Sequence, residues 1–139
     1  MIIADTNVVS EFMKDVPDPT VLTWAVGIDS ASLGITVVTV EEIERGLGQL
    51  PQGRRRQDLE RRWAELLAGF ADAALVVYDL PAARHTARVL LTARAMGRPM
   101  SLADAQIAGM CLAGGHTLAT QDICGFAGAD DLTLHNPFE

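Results

Sequence analysis

Lysine occurs once in this chain of 139 residues, at Lys14, and cysteine only twice, at Cys111 and Cys124. Two cysteines so far apart, with no CxxC, exclude a thiolate zinc site and point to reduced thiols. The three histidines, His85, His116 and His135, form no i,i+4 pair, which removes the usual helical histidine metal site. No apolar run approaches the roughly 20 residues that cross a bilayer. The start lacks a basic segment, and Asp5 and Asn7 break its apolar stretch, so no secretory leader is expected and the expected compartment is the cytoplasm. Positive charge is scarce: the net charge is −7. That excludes holding nucleic acid by surface charge alone, but not through cations carried on carboxylates. What is present is apolar. Hydrophobic residues at 49% and charged residues at 21% exclude a disordered chain. The length suits one domain over residues 1–139, burying roughly two thirds of its unfolded surface.

Short apolar, β-branched stretches read as strands at Ile2–Ala4, Leu33–Thr36, Leu75–Tyr78 and Leu118–Ala119, with a weaker one near Leu132–Leu134. Helical patterns lie between them. Asn7–Met13 is the first, and Asp18-Pro19 caps and opens Thr20–Val26. Val40, Ile43, Leu47 and Leu50 keep the spacing of an amphipathic helix. PQGRRRQ reads as a loop before a helix over Gln57–Phe70. Asp79 caps a helix over Pro81–Ala95, and Ser101 caps Leu102–Ala113, which Gly114-Gly115 closes. Strands alternating with long helices predict an α/β fold: a mainly parallel central sheet flanked by helices.

Carboxylates recur where these strands end. Asp5 follows the first, Glu41 and Glu42 open the helix after the second, Asp104 lies in the first turn of Leu102–Ala113, and Asp122 follows the fourth. In a parallel sheet all of these fall at the carboxyl edge, where open α/β sheets bind ligands. Asp104 carries most information, because LADAQIAGMCLA is apolar on nearly every side and should be buried. An ionised carboxylate there costs several kcal/mol unless it is paired or bound to metal. No lysine lies near it, so converging acids call for a cation, and oxygen-only ligands favour Mg²⁺ or Mn²⁺.

Each acid has a structural reading beside the chemical one. Asp5 suits a helix N-cap, with Thr6 and Asn7 able to share that task. Glu42 suits a solvated acid near a helix start, and the apolar stripe of its helix does not centre on it. Ser101 and Asp104 match a capping box, and Asp122 could shape the turn in TQDICG. Arg54–Arg56, Arg61 and Arg62 read as a solvated helix face rather than an RNA groove, and Trp24 and Trp63 as core or interface anchors.

IIADTNVVSEF at the start, TVVTVEEIERG in the middle and SLADAQIAGMCLAGGHTLATQDICGF near the end resemble PIN-domain proteins. More narrowly they resemble the ribonuclease toxins of VapBC-type toxin–antitoxin pairs, in the FitB-like branch. The resemblance runs over nearly the whole chain. It implies a PIN-like, Rossmann-like three-layer sandwich. Position by position it implies a metal site of Asp5, Glu42, Asp104 and Asp122, supported by Thr6, Asn7 and Thr120, with Ser10-Glu11 matching a polar and acidic pair in the first helix. Many relatives carry an acid where this chain has Gly125, which leaves one metal or two open. The resemblance also implies a cognate antitoxin, small and DNA-binding, and a homodimer.

The implied reaction is Mg²⁺- or Mn²⁺-dependent endoribonuclease cleavage of RNA, by a water whose pKa a metal lowers, with a second ion at the leaving oxygen. An aspartyl phosphatase would want a second acid two residues beyond Asp5, where Asn7 stands, and a phosphoacceptor receiver would want a lysine near the site. A rival from another class is a non-catalytic binding module whose acidic cluster accepts an arginine from a partner protein.

Overall fold

The computed structural model describes residues 1–139. Five short strands form one parallel sheet: β1 (Ile2–Ala4), β2 (Leu33–Thr36), β3 (Leu75–Val76), β4 (Thr117–Ala119) and β5 (Leu134–His135), ordered β3-β2-β1-β4-β5. Six helices connect them: α1 (Thr6–Phe12), α2 (Pro19–Val26), α3 (Val37–Gly48), α4 (Arg54–Ala68), α5 (Leu80–Ala95) and α6 (Leu102–Gly114). β1 lies centrally, with Ile3 opposite Gly34 on one side and Leu118 on the other. The order therefore reverses between β1 and β4, which opens a crevice at their carboxyl ends.

The period-2 alternation of a strand distributes the core over both faces. Ile3 and Leu118 pack with Ile107, Met110 and Phe126 under α5 and α6. Ala4 and Ile35 pack with Val8, Val9, Ile43 and Trp63 under α1 to α4. The result is the three-layer sandwich that the resemblance implies. At Gly109 of α6 an added Cβ would lie 2.7 Å from the Ala82 carbonyl oxygen, so a glycine is what lets α5 approach α6 closely. Gly115, at φ +68°, closes α6 in the left-handed conformation expected of the Gly114-Gly115 stop.

Asp18, Asp79 and Ser101 cap their helices as read from the sequence. Four elements differ by more than one residue. α4 begins at Arg54, so most of PQGRRRQ is helix rather than loop: Gly53 breaks the chain, and good helix formers with an Arg56–Glu60 pair at 2.7 Å carry the helix from there. α3 begins at Val37, because the Thr36 hydroxyl accepts the Thr39 N–H at 3.1 Å and nucleates a β-branched stretch that would not start a helix alone. Glu41 and Glu42 therefore sit in its second turn and do not open it. β3 stops at Val76, and the last strand is Leu134–His135 rather than Leu132–Leu134.

Candidate functional site

Asp5 leaves β1 at the crevice and is only 5% exposed. Its backbone N–H donates to Ala119 of β4, which fixes the turn from strand to helix. One carboxylate oxygen caps α1, accepting the Thr6 N–H at 2.8 Å. The other accepts the Thr120 hydroxyl at 2.8 Å and the Asn7 amide at 3.3 Å. The capping reading of Asp5 is correct, and it leaves the chemical reading intact.

Thr120 gathers the β4 side. Fully buried, it donates to Asp5 and accepts from the Asn7 amide at 3.2 Å and from the Asp122 N–H at 3.0 Å. Asn7 uses its oxygen for the Gln121 N–H. On the β2 side a chain of hydroxyls ends on a carboxylate: Thr36 donates to Thr39, Thr39 to Thr6, and Thr6 to Glu42 Oε1 at 2.8 Å. Thr36 and Thr39 were not singled out from the sequence. Their spacing, an N-cap and its N3 residue at the end of a strand, is the signal that could have found them.

Asp104 lies within electrostatic reach of Asp5, Glu42 and Asp122, and Asp5 within reach of Glu42. Burial pushes the Asp5 carboxyl up to about 6, against the hydrogen bonds from Thr120 and Thr6, and the charges of Asp104 and Glu42 push the same way. Burial also raises Asp104, with Glu42 and Asp122 adding to it and Ser101 opposing. Asp104 is half-buried rather than enclosed, because the first turn of α6 projects from the core and Leu102 beside it is 60% exposed. None of the five ion pairs of the chain reaches these acids; they join Lys14–Glu11, Arg45–Glu41, Arg56–Glu60, Arg61–Asp58 and Arg62–Asp15. Uncompensated negative charge is what the site has in excess.

Two residues take structural places. Glu11 holds Lys14 at 2.7 Å and the Asp18 N–H at 2.9 Å, clasping the end of α1 to the start of α2 away from the acid group. Asp122 is exposed and turns one oxygen onto the Gly125 N–H at 3.0 Å, so it does shape its turn. A Cβ at position 125 would collide with that carboxylate, so Gly125 makes room for Asp122 in this pose.

The donor set is all oxygen and suits a hard divalent cation. Glu42 keeps Oε2 free of the Thr6 bond, and Asp122 keeps Oδ2 free of the loop bond. No three of the acids close on one point as a ready-made cage. Mg²⁺ does not need one: it usually keeps several waters and takes only one or two carboxylates. The residues fit such an ion. No reactive thiol stands beside it: Cys111, beneath Asp5, is buried with its thiol pushed up to about 12. The histidines lie elsewhere, His116 on the chain's amino group, His135 against Trp24 and His85 beside Arg88.

Residues 2–128 match the PIN domain. Over the whole chain and 99% of the relative, the sequence is 36% identical to VapC ribonuclease Y4jK of Sinorhizobium fredii. It is 28% identical to Toxin FitB of Neisseria gonorrhoeae, over 99% of each chain. In three dimensions it superposes on a chain of FitAB bound to an IR36 DNA fragment with a TM-score of 0.91, at 30% identity, covering 100% of this chain and 96% of the other.

Proposed function

The chain belongs to the PIN-domain family, and from that premise we propose that it is the toxin of a toxin–antitoxin pair, acting as an Mg²⁺- or Mn²⁺-dependent endoribonuclease. The observation that carries the reading is the buried Asp5 within reach of the charges of Glu42 and Asp104, with Asp122 beside Asp104 and no ion pair to any of the four. Asp5, Glu42, Asp104 and Asp122 would hold the ion. When bound, it supplies a lowered pKa for an attacking water and charge neutralisation at the phosphate.

The chain's own residues do the rest by holding carboxylates still. Asp5 is locked from three sides by Thr6, Asn7 and Thr120, so it presents one orientation. Glu42 is aimed by Thr6, itself aimed by Thr39. Rigid supports of this kind keep ligands in place when charge changes during a reaction. At neutral pH Asp5 lies above its raised pKa and carries its charge.

RNA as substrate is supported by the relative named a ribonuclease, and a small DNA-binding antitoxin by the likeness to FitAB bound to DNA. A homodimer is supported by apolar side chains exposed near the amino end, Val16 and Val26 at 84% and 87%. No helix is long and apolar enough to cross a membrane. A second reading, a binding module taking a partner's arginine, is favoured by the absence of a closed cage among the acids. Both readings meet in one assay. Purified chain is given structured and single-stranded RNAs with Mg²⁺, Mn²⁺ or chelator, beside an Asp104→Asn variant. Cleavage that needs metal and vanishes in the variant supports the nuclease. No cleavage, with no metal bound, supports the binding module.

A further inference from the structure

Thr36, Thr39, Thr6 and Glu42 form a chain of hydrogen bonds with one permitted direction. A carboxylate oxygen only accepts, so the single hydroxyl proton of Thr6 is committed to Glu42 Oε1, 2.8 Å away. The Thr6–Thr39 contact of 3.1 Å therefore runs from Thr39 to Thr6. With the Thr39 proton committed in turn, the contact of 3.4 Å with Thr36 runs from Thr36 to Thr39. Thr36 and Thr39 are fully buried, so water does not compete for these bonds. Capping α3 explains only part of this arrangement. The cap needs Thr36 to accept the Thr39 N–H, and neither the Thr39 hydroxyl nor Thr6 takes part in it. A valine at position 39 would fill the same space without burying a hydroxyl. The Thr39 hydroxyl has one use left, and it leads to Glu42.

The held oxygen determines what the free one can do. Glu42 is half-buried, and with Oε1 bound by Thr6 only Oε2 is free. Asp5 already has hydrogen bonds on both oxygens, and Asp122 has one on Oδ1. Mg²⁺ keeps several waters in a small octahedron and binds through one or two carboxylates, whereas Ca²⁺ takes about six to eight oxygens and accepts both from one carboxylate. Mn²⁺ shares the octahedral preference. A glutamate pinned by one oxygen suits the first kind of ion and denies the second a bidentate ligand. We infer that the Thr36–Thr39–Thr6 chain makes Glu42 a single-oxygen ligand and thereby sets a preference of the acid site for Mg²⁺ and Mn²⁺ over Ca²⁺. Thr39 is a positioning residue, acting on Glu42 through Thr6. The inference rests on the metal-dependent reading of that site.

The test is ion competition on the full chain without RNA. Mn²⁺ binding is followed by loss of the aqueous-ion signal in electron paramagnetic resonance, and Mg²⁺ or Ca²⁺ is titrated in to displace it. The unmodified chain should bind Mg²⁺ more tightly than Ca²⁺. Thr6→Val frees Oε1 and should weaken Mg²⁺ about tenfold, the scale of a lost outer support, with Ca²⁺ losing far less. The ratio of the two affinities should narrow by a similar factor. Thr39→Val should move the ratio in the same direction, and Thr39→Ser should restore it. Thr86→Val removes a buried hydroxyl that donates to the Ala82 carbonyl at 2.8 Å within α5, and it is the control. It should leave the ratio unchanged whatever it does to thermal stability. Equal affinity for Mg²⁺ and Ca²⁺ in the unmodified chain would overturn the inference, as would a ratio that Thr86→Val shifts equally. A chain that binds no Mn²⁺ removes the metal reading itself, and the inference with it. Mn²⁺ binding with a ratio unmoved in Thr6→Val and Thr39→Val removes the inference alone.

Discussion

Replacing Asp5 by asparagine should stabilise the metal-free protein at neutral pH and not in acid. Raised from 3.8 to about 6, the Asp5 carboxyl binds its proton more tightly in the folded chain than in the unfolded one. The stability this confers is complete below pH 3.8 and is lost as pH rises through about 6. At about 1.4 kcal/mol per pH unit between the two values, the ionised side chain costs the fold about 3 kcal/mol at neutral pH. With Asp5 only 5% exposed, solvent screening reduces this little. Asparagine carries no charge, but its NH₂ would meet the Thr120 hydroxyl and the Asn7 amide, donor against donors, at a constant cost of about 2 kcal/mol. The difference in unfolding free energy between Asp5→Asn and the unmodified chain should therefore move in favour of the variant by about 3 kcal/mol between pH 3.5 and 7.5. Urea denaturation in chelator at a series of pH values measures it. Saturating Mn²⁺ should reverse the order at neutral pH, since a ligand of the folded state stabilises only the chain that binds it. A difference that stays flat with pH in chelator would refute the placement of Asp5 as a buried, uncompensated acid.

Other substitutions separate support from chemistry. Thr120→Val removes the donor to Asp5 and the acceptor of two N–H groups; it should cost about 2–3 kcal/mol in urea denaturation and weaken Mn²⁺ binding, while Thr120→Ser should keep both. Glu11→Ala frees the Asp18 N–H and Lys14, and should cost about 1–3 kcal/mol with metal-dependent RNA cleavage unchanged. Gly109→Ala would set a Cβ 2.7 Å from the Ala82 carbonyl and 2.9 Å from the Thr86 nitrogen, both backbone, so thermal unfolding should show a loss of at least about 1–3 kcal/mol.

Local signals carried far in this chain because they agreed with one another. Asp18-Pro19, Asp79 and Ser101 each marked a helix start that the structure keeps, since a capping side chain acts within three residues. Two helix starts moved, one set by a cap and one by helix propensity after a glycine. The helical pattern read from Val40 begins already at Val37, because the Thr36 hydroxyl takes the Thr39 N–H. Arg54–Arg56 look like loop until Gly53 isolates them as a helical turn.

By itself the sequence determined that acids recur where strands end in an α/β chain and that the chain has a single lysine, because both facts depend only on order and composition. Only the tertiary structure decided which acids are buried, which are braced and which face loops. Asp5 meets Thr120, 115 residues away, and Glu42 meets Thr6, 36 residues away. Desolvation and hydrogen bonding act across a few ångströms of space whatever the separation along the chain, so Glu11 and Glu42, equally acidic on paper, end as a clasp and as part of the candidate site.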